Sequence, residues 1–199
     1  MAFIDTIREE DAGDAVKRMY AEDTKTRGYL PNYSRIFCHR PHVKEAWNNL
    51  QKAIRSTMDA RRYELVTVAA ARAMQSSYCL LAHGSILLKQ FLGPEQVASI
   101  ASANRATGLT DAEIAMMAFA DKLVRNASSV TRGDVEHLRA VGFTDPEIFD
   151  ITVAATARCF FSKTLDALGA EPDRAYLSLD EQVRHELTIG RPIEGETAR

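Results

Sequence analysis

The sequence predicts an all-α protein, on three observations. Apolar residues recur at helical spacing, as Val43, Trp47, Leu50 and Ile54 do in "PHVKEAWNNLQKAIRSTM". Helix-start signals recur at Thr110-x-x-Glu113, at Thr131 with Asp134, and at Thr144-Asp145-Pro146-Glu147. The alternating patterns and Asn-Gly or Asp-Gly turns that mark β-hairpins are absent.

Taken in order, a first helix is expected from Asp11 to about Thr26, broken by Gly28 and Pro31 in "RGYLPNYSRIF". Pro41 opens a second helix, because its missing N–H costs nothing in a first turn. Asp59 is the expected N-cap of a third, "ARRYELVTVAAARAM". Leu65, Val66, Val68, Ala69, Ala70, Ala71 and Ala73 make that helix apolar around most of its circumference, so it should be central and buried. A fourth runs from Ser76 or Ser77 to Phe91, stopped by Gly93-Pro94. A short helix then reaches about Asn104, another follows Thr110 to about Arg125, and a third follows Thr131 to Gly142. A last long helix system spans 147–168, ended by Gly169.

This outlines one all-helical domain over 1–179, with halves near 41–104 and 110–170, and a polar arm or tail over 180–199. The halves are suggested by two similar stretches, "YELVTVAAARAMQSSYC" and "PEIFDITVAATARCFFS". Laid over each other, Glu64 meets Glu147, Ser76 meets Cys159, Cys79 meets Ser162 and His83 meets Asp166. Amphipathic helices built from Ala, Val and Ile also align by chance, and only the first stretch keeps Cys and His together.

The 199 residues carry a net charge of −2 with both signs interspersed, which argues against nucleic acid or an anionic membrane as partner. No segment approaches the roughly 18 apolar residues of a membrane helix. The N-terminus turns acidic within a few residues, and no secretory leader is expected. Cys38, Cys79 and Cys159 are an odd number with no close pair, so a disulfide framework is not expected and a reducing cytoplasm is. Cys38, His39 and His42 in "CHRPH" fit none of the common zinc spacings, and no metal or other cofactor is expected.

The chemistry concentrates in "MQSSYCLLAHG". With Ser76 at the N-cap, Cys79 falls in the first helical turn, where free N–H groups and the helix dipole favour a thiolate. His83 follows one turn later on the same face. Glu64, a carboxylate at the start of the most apolar helix, needs either solvent or a partner such as His83. Together they would form a Glu–His–Cys relay in which the carboxylate orients the imidazole and the imidazole moves protons at sulfur. The plainer readings are a packed cysteine at 79 and a purely capping Ser76. Ser76 could instead hold a substrate, and Tyr78 could line a pocket or meet a neighbouring subunit. Cys159 is a core residue of the second half, or the missing second thiol brought near by the fold.

Glu64-x11-Ser76-x2-Cys79-x3-His83 resembles the Glu-x11-Cys-x2-Cys-x3-His pattern of the alkylhydroperoxidase D-like (AhpD-like) proteins, in the carboxymuconolactone decarboxylase superfamily. "YLPNYSRIFCHRPHVKEAW" and "AFADKLVRNASSVTRGDVEHLRAVGFTDPEIFDI" extend the likeness to the peroxidase-related branch, over roughly residues 15–175. The resemblance implies an all-α fold assembled as dimers, trimers or hexamers. It also implies an antioxidant enzyme with a hydroperoxide-reducing or disulfide-exchange activity, with an external thiol or lipoyl group as reductant. The peroxide-reacting thiol of that pattern maps onto Cys79, and the exchanging thiol onto Ser76. A serine cannot form a disulfide, so the expectation is a single-cysteine site resolved from outside. The superfamily's decarboxylase branch implies an alternative, a cofactor-free lyase or hydrolase for a small lactone acid, in which His83 would be the general base or acid with Glu64 as its partner. A non-catalytic oligomeric scaffold is the third.

Overall fold

The computed structural model describes residues 2–102 and 108–196. Among them the regular structure is helical throughout: α1 (Asp14–Arg27), α2 (Asn32–Ile36), α3 (Pro41–Thr57), α4 (Ala60–Ala73), α5 (Ser77–Gln90), α6 (Pro94–Ala101), α7 (Asp111–Arg125), α8 (Arg132–Ala140), α9 (Asp145–Ala167) and α10 (Glu181–Leu187). The expected end of the short helix near Asn104 lies outside the described residues.

The caps form as the sequence directs. The Asp59 carboxylate accepts from the Arg62 N–H at 2.9 Å and starts α4. Thr110 and Glu113 close a reciprocal capping box on α7, and Thr144 and Glu147 do the same on α9. Two boundaries move. Gly13, not Asp11, precedes α1, and Pro31 does not merely break the chain but leads into α2, since Pro is compatible with a helix start.

α4 is the hub. Leu65, Val66, Ala69, Ala70 and Ala71 are fully buried, and α5, α7 and α9 pack around it. Alanine on three successive positions lets those neighbours approach closely, and truncating a large core side chain such as Leu65 would cost about 2–5 kcal/mol. A second, aromatic layer joins α3 to α9: Trp47 stacks on Phe161 at 5.0 Å between ring centroids, and Phe37 stacks on Phe161 at 5.7 Å.

The two similar stretches adopt different conformations. Residues 64–83 cross the break between α4 and α5, whereas 147–166 lie within the single helix α9. Glu147 does not repeat the environment of Glu64: it pairs with Arg62 at 2.7 Å on the surface. The likeness of the stretches is that of buried Ala- and Val-rich helices.

The C-terminal segment is not a free tail. Val183 and Leu187 of α10 and Ile193 beyond it are buried, and α10 packs on α5 and α6. Gly84 admits this contact, since a Cβ there would lie 2.7 Å from a Leu187 methyl. Gly190 donates its N–H to Ser77 Oγ at 2.8 Å, pinning the segment to the start of α5. The polar composition of 180–199 hid three apolar anchors at i, i+4 and beyond.

Candidate active site

The sharp turn between α4 and α5 positions the site. Gln75 takes a left-handed conformation (φ 57°). The Ser76 N–H reaches back to Ala71 O and the Gln75 N–H to Arg72 O, both at 2.9 Å, a Schellman ending with Gln where Gly is usual. Cys79 is therefore the third residue of α5, and His83 follows one turn on.

His83 Nδ1 lies 2.5 Å from Glu64 Oε2, across the α4–α5 interface. Both groups are buried, Glu64 at 1% and His83 at 8% exposure. Burial works against charge on Glu64, but His83, Arg55 and Arg158 together hold its carboxyl below the usual carboxylate range. Arg55 Nη2 stands 3.7 Å from Glu64 Oε1. Burial, reinforced by the Arg158 charge and opposed by Glu64, pushes the His83 imidazole down to about 4. The two directions fit one state at neutral pH: Glu64 is a carboxylate and His83 is neutral, with its proton on Nδ1. The support for the Glu64 anion then comes from the Nδ1–H dipole and the two arginines rather than from an imidazolium. Nε2 is left as a base for the cavity that His83 lines.

That cavity measures about 600 Å³. Cys79, Tyr78, His83 and Arg158 line it, with Tyr33, Trp47 and Phe161 as its apolar wall. Cys79 is 1% exposed, and its sulfur is approached by Arg158 Nη1 at 3.8 Å. Tyr78 lines the cavity rather than presenting itself to solvent. Its hydroxyl donates to Asp173 Oδ2 at 2.7 Å and accepts from the Tyr33 N–H at 3.1 Å. Asp173 also accepts from Tyr29 and from the Asn32 N–H, which opens α2. Burial pushes the Asp173 carboxyl up against these donors, and burial beside Asp173 pushes the Tyr78 phenol well up.

Ser76 departs from expectation. It occupies the N-cap position, but its hydroxyl makes no capping bond to Cys79 and does not line the cavity. The fully buried Oγ is turned toward Asp166, close enough to oppose the upward push of burial on that carboxyl, though without a hydrogen bond of good geometry. Cys159 stays apart from the cavity. Its thiol donates to Ala155 O one turn back, and burial pushes it up. Cys38 is buried elsewhere, accepting from the Ile7 N–H.

Sequence reasoning missed Arg158 and Asp173. Arg158 carried the signal that exposed Glu64, a lone charge in an apolar helix, "ITVAATARCFF". Asp173 carried none, because its role depends on how a loop folds over α2.

Comparison with known proteins shows what the fold is similar to. Residues 41–122 match the Carboxymuconolactone decarboxylase family. The fold aligns with the alkylhydroperoxidase AhpD core of an uncharacterized peroxidase-related protein from Ralstonia eutropha JMP134. That match has a TM-score of 0.77 and 23% identity, covering 88% of this chain and 94% of the other. A peroxidase-related protein from Silicibacter sp. TM1040 aligns at TM-score 0.74 and 20% identity, over 88% and 91% of the two chains. The debrominase Bmp8 aligns at 0.72 and 15%, over 92% and 96%. No curated protein matches this sequence. The family match spans less than half of the chain, and the likeness to the solved structures shows an AhpD-like fold. Among the described residues, no helix is long and apolar enough to cross a membrane.

Proposed function

We propose that this protein is a single-cysteine thiol peroxidase that reduces small organic hydroperoxides. The observation that carries the reading is the Glu64–His83 bond on the cavity that Cys79 shares. A neutral imidazole with its Nδ1–H held by a carboxylate presents a base at Nε2, the form that can take a thiol proton at neutral pH. His83 Nε2 accepts the proton of Cys79. The sulfur then attacks the distal oxygen of the hydroperoxide, the S–O bond forms as the O–O bond breaks, and the leaving alkoxide takes the proton back from His83. Cys79 is oxidised to a sulfenic acid and the hydroperoxide is reduced to an alcohol. With serine at 76 and Cys159 off the cavity, an external thiol or a lipoyl group resolves the sulfenic acid. One thiol releases water and forms a mixed disulfide, and a second thiol regenerates Cys79. The apolar wall of Tyr33, Trp47 and Phe161 suits an organic rather than an inorganic peroxide.

Steady-state consumption of cumene hydroperoxide with dithiothreitol or dihydrolipoate tests this. The expected result is turnover lost in Cys79→Ala. A lactone hydrolysis or decarboxylation that survives Cys79→Ala and disappears in His83→Gln would replace it with the lyase reading. We further infer a homo-oligomer, supported by Leu50 on α3 and Phe149 and Phe160 on α9, which are 46–66% exposed.

A further inference from the structure

Arg158 is 2% exposed, and burying a guanidinium is costly unless it meets negative charge. Two other cations of the cavity wall have a carboxylate partner. Lys44 lies 3.2 Å from Asp23, and Arg55 lies 3.7 Å from Glu64. Arg158 feels the Glu64 carboxylate from a distance, but among the described residues it has no carboxylate within ion-pair distance. Its Nη2 donates to Tyr63 Oη at 3.3 Å, its Nε has no partner, and its plane lies over Trp47 and Phe161 at 5.4 and 5.6 Å. The remaining fork nitrogen, Nη1, points at Cys79 Sγ. The charge that fits this guanidinium is one that forms on sulfur.

We propose that Arg158 is a catalytic residue of the Cys79 site, holding the sulfur in its anionic form through Nη1 while Tyr63 fixes the fork. The step is a proton transfer. The S–H bond breaks, its proton passes to His83 Nε2, and the electron pair remains on sulfur beside Nη1. Arginine suits the task better than lysine because two donors of one rigid plane can engage phenol and sulfur together. The stacking on Trp47 and Phe161 fixes that plane. Asp173 and Tyr176, which reach the same cavity from the C-terminal segment, are shared by every variant below and cancel in the comparison.

This inference rests on Cys79 as the nucleophile, as proposed above, but not on the peroxide being its substrate. The test therefore reads sulfur directly: the second-order rate of Cys79 alkylation by iodoacetamide, followed by peptide mass, at pH 7 and at pH 10. Arg158→Met should lower the rate at pH 7 about tenfold and leave the rate at pH 10 within about twofold of the parent. Arg158→Lys should recover part of the loss. Equal rates at pH 7 in the parent and Arg158→Met would overturn the proposal, as would an equal fall at both pH values. If Arg158→Met fails to fold, Tyr63→Phe carries the test, with a fall of about threefold at pH 7 expected and no change overturning it. A parent that alkylates in this Arg158-dependent way but consumes no hydroperoxide would refute the peroxidase reading and leave this one standing.

Discussion

Glu64 and His83 meet at 2.5 Å across two different helices, with the imidazole nitrogen Nδ1 facing the carboxylate and both side chains removed from water. Their relation fixes which ring nitrogen carries the proton, and so which one can act on Cys79. His83→Gln should reduce hydroperoxide turnover about 10²-fold, the size of a lost general base. Glu64→Gln should reduce it less, about tenfold, because the ring remains but its tautomer is no longer dictated. Initial rates at saturating reductant check both, and the order of the two variants is the informative part.

The same pair makes stability depend on pH. The folded imidazole sits at about 4 against an ordinary 6.5, so between those values the unfolded chain binds a proton that the folded chain refuses. The contribution of His83 is fully present above pH 6.5 and is lost as pH falls toward 4, to a limit of roughly 3 kcal/mol. The lowered Glu64 acts in the same sense at still lower pH. Urea midpoints at pH 7 and pH 5 should fall in the parent and fall markedly less in His83→Gln. Parallel losses would remove the argument for a buried neutral imidazole.

Much of this arrangement was legible in the sequence, and the reason is local. Caps at Asp59, Thr110 and Thr144 are set by residues three apart, and the buried character of α4 by its composition. Glu64, Cys79 and His83 could be joined because a charge in an apolar helix needs a partner and because i and i+4 share a face. The Arg158 contact with Cys79 joins residues 79 positions apart, and the Asp173 contact with Tyr78 joins residues 95 apart. No periodicity encodes such pairs. The docking of α10 was missed for a related reason: Val183, Leu187 and Ile193 are too few to outweigh polar neighbours in composition, yet each finds a buried seat.

Tyr78→Phe separates support from chemistry. It removes a hydroxyl that joins Asp173 to the backbone of α2 and leaves Asp173 short of one buried donor. The expected cost is about 1–3 kcal/mol in unfolding free energy. Hydroperoxide turnover at 25 °C should stay within about threefold of the parent. Thermal denaturation and initial rates, measured on the same preparation, check the two halves of this statement.

Gly190→Ala tests the strap over α5. A Cβ at this position would lie 2.1 Å from the Gln75 carbonyl oxygen, a backbone atom that can yield only if the turn before Ser76 moves. The variant should lose about 1–3 kcal/mol and expose the segment after Ala170 to limited proteolysis. Parent-like stability and protease resistance would show that the strap contributes nothing to holding the α4–α5 turn.

Restoring the absent sulfur gives a further check. In Ser76→Cys, two thiols stand three residues apart at the start of α5, within reach of a disulfide after a small adjustment of the turn. Stoichiometric hydroperoxide should convert the variant to an intramolecular disulfide, seen as a mass loss of about two hydrogens. Its turnover should depend less steeply on the concentration of monothiol. A variant that keeps both thiols free after oxidant would mean that the turn holds position 76 away from Cys79.

The proposed function turns on one step, the oxidation of Cys79 by peroxide to a sulfenic acid. The direct measurement is dimedone labelling after one equivalent of cumene hydroperoxide, with each cysteine peptide read by mass spectrometry. Label is expected on Cys79, with little on Cys38 or Cys159, and it should fall in His83→Gln. Peroxide consumption without label at Cys79, or undiminished in Cys79→Ala, would contradict the proposed function.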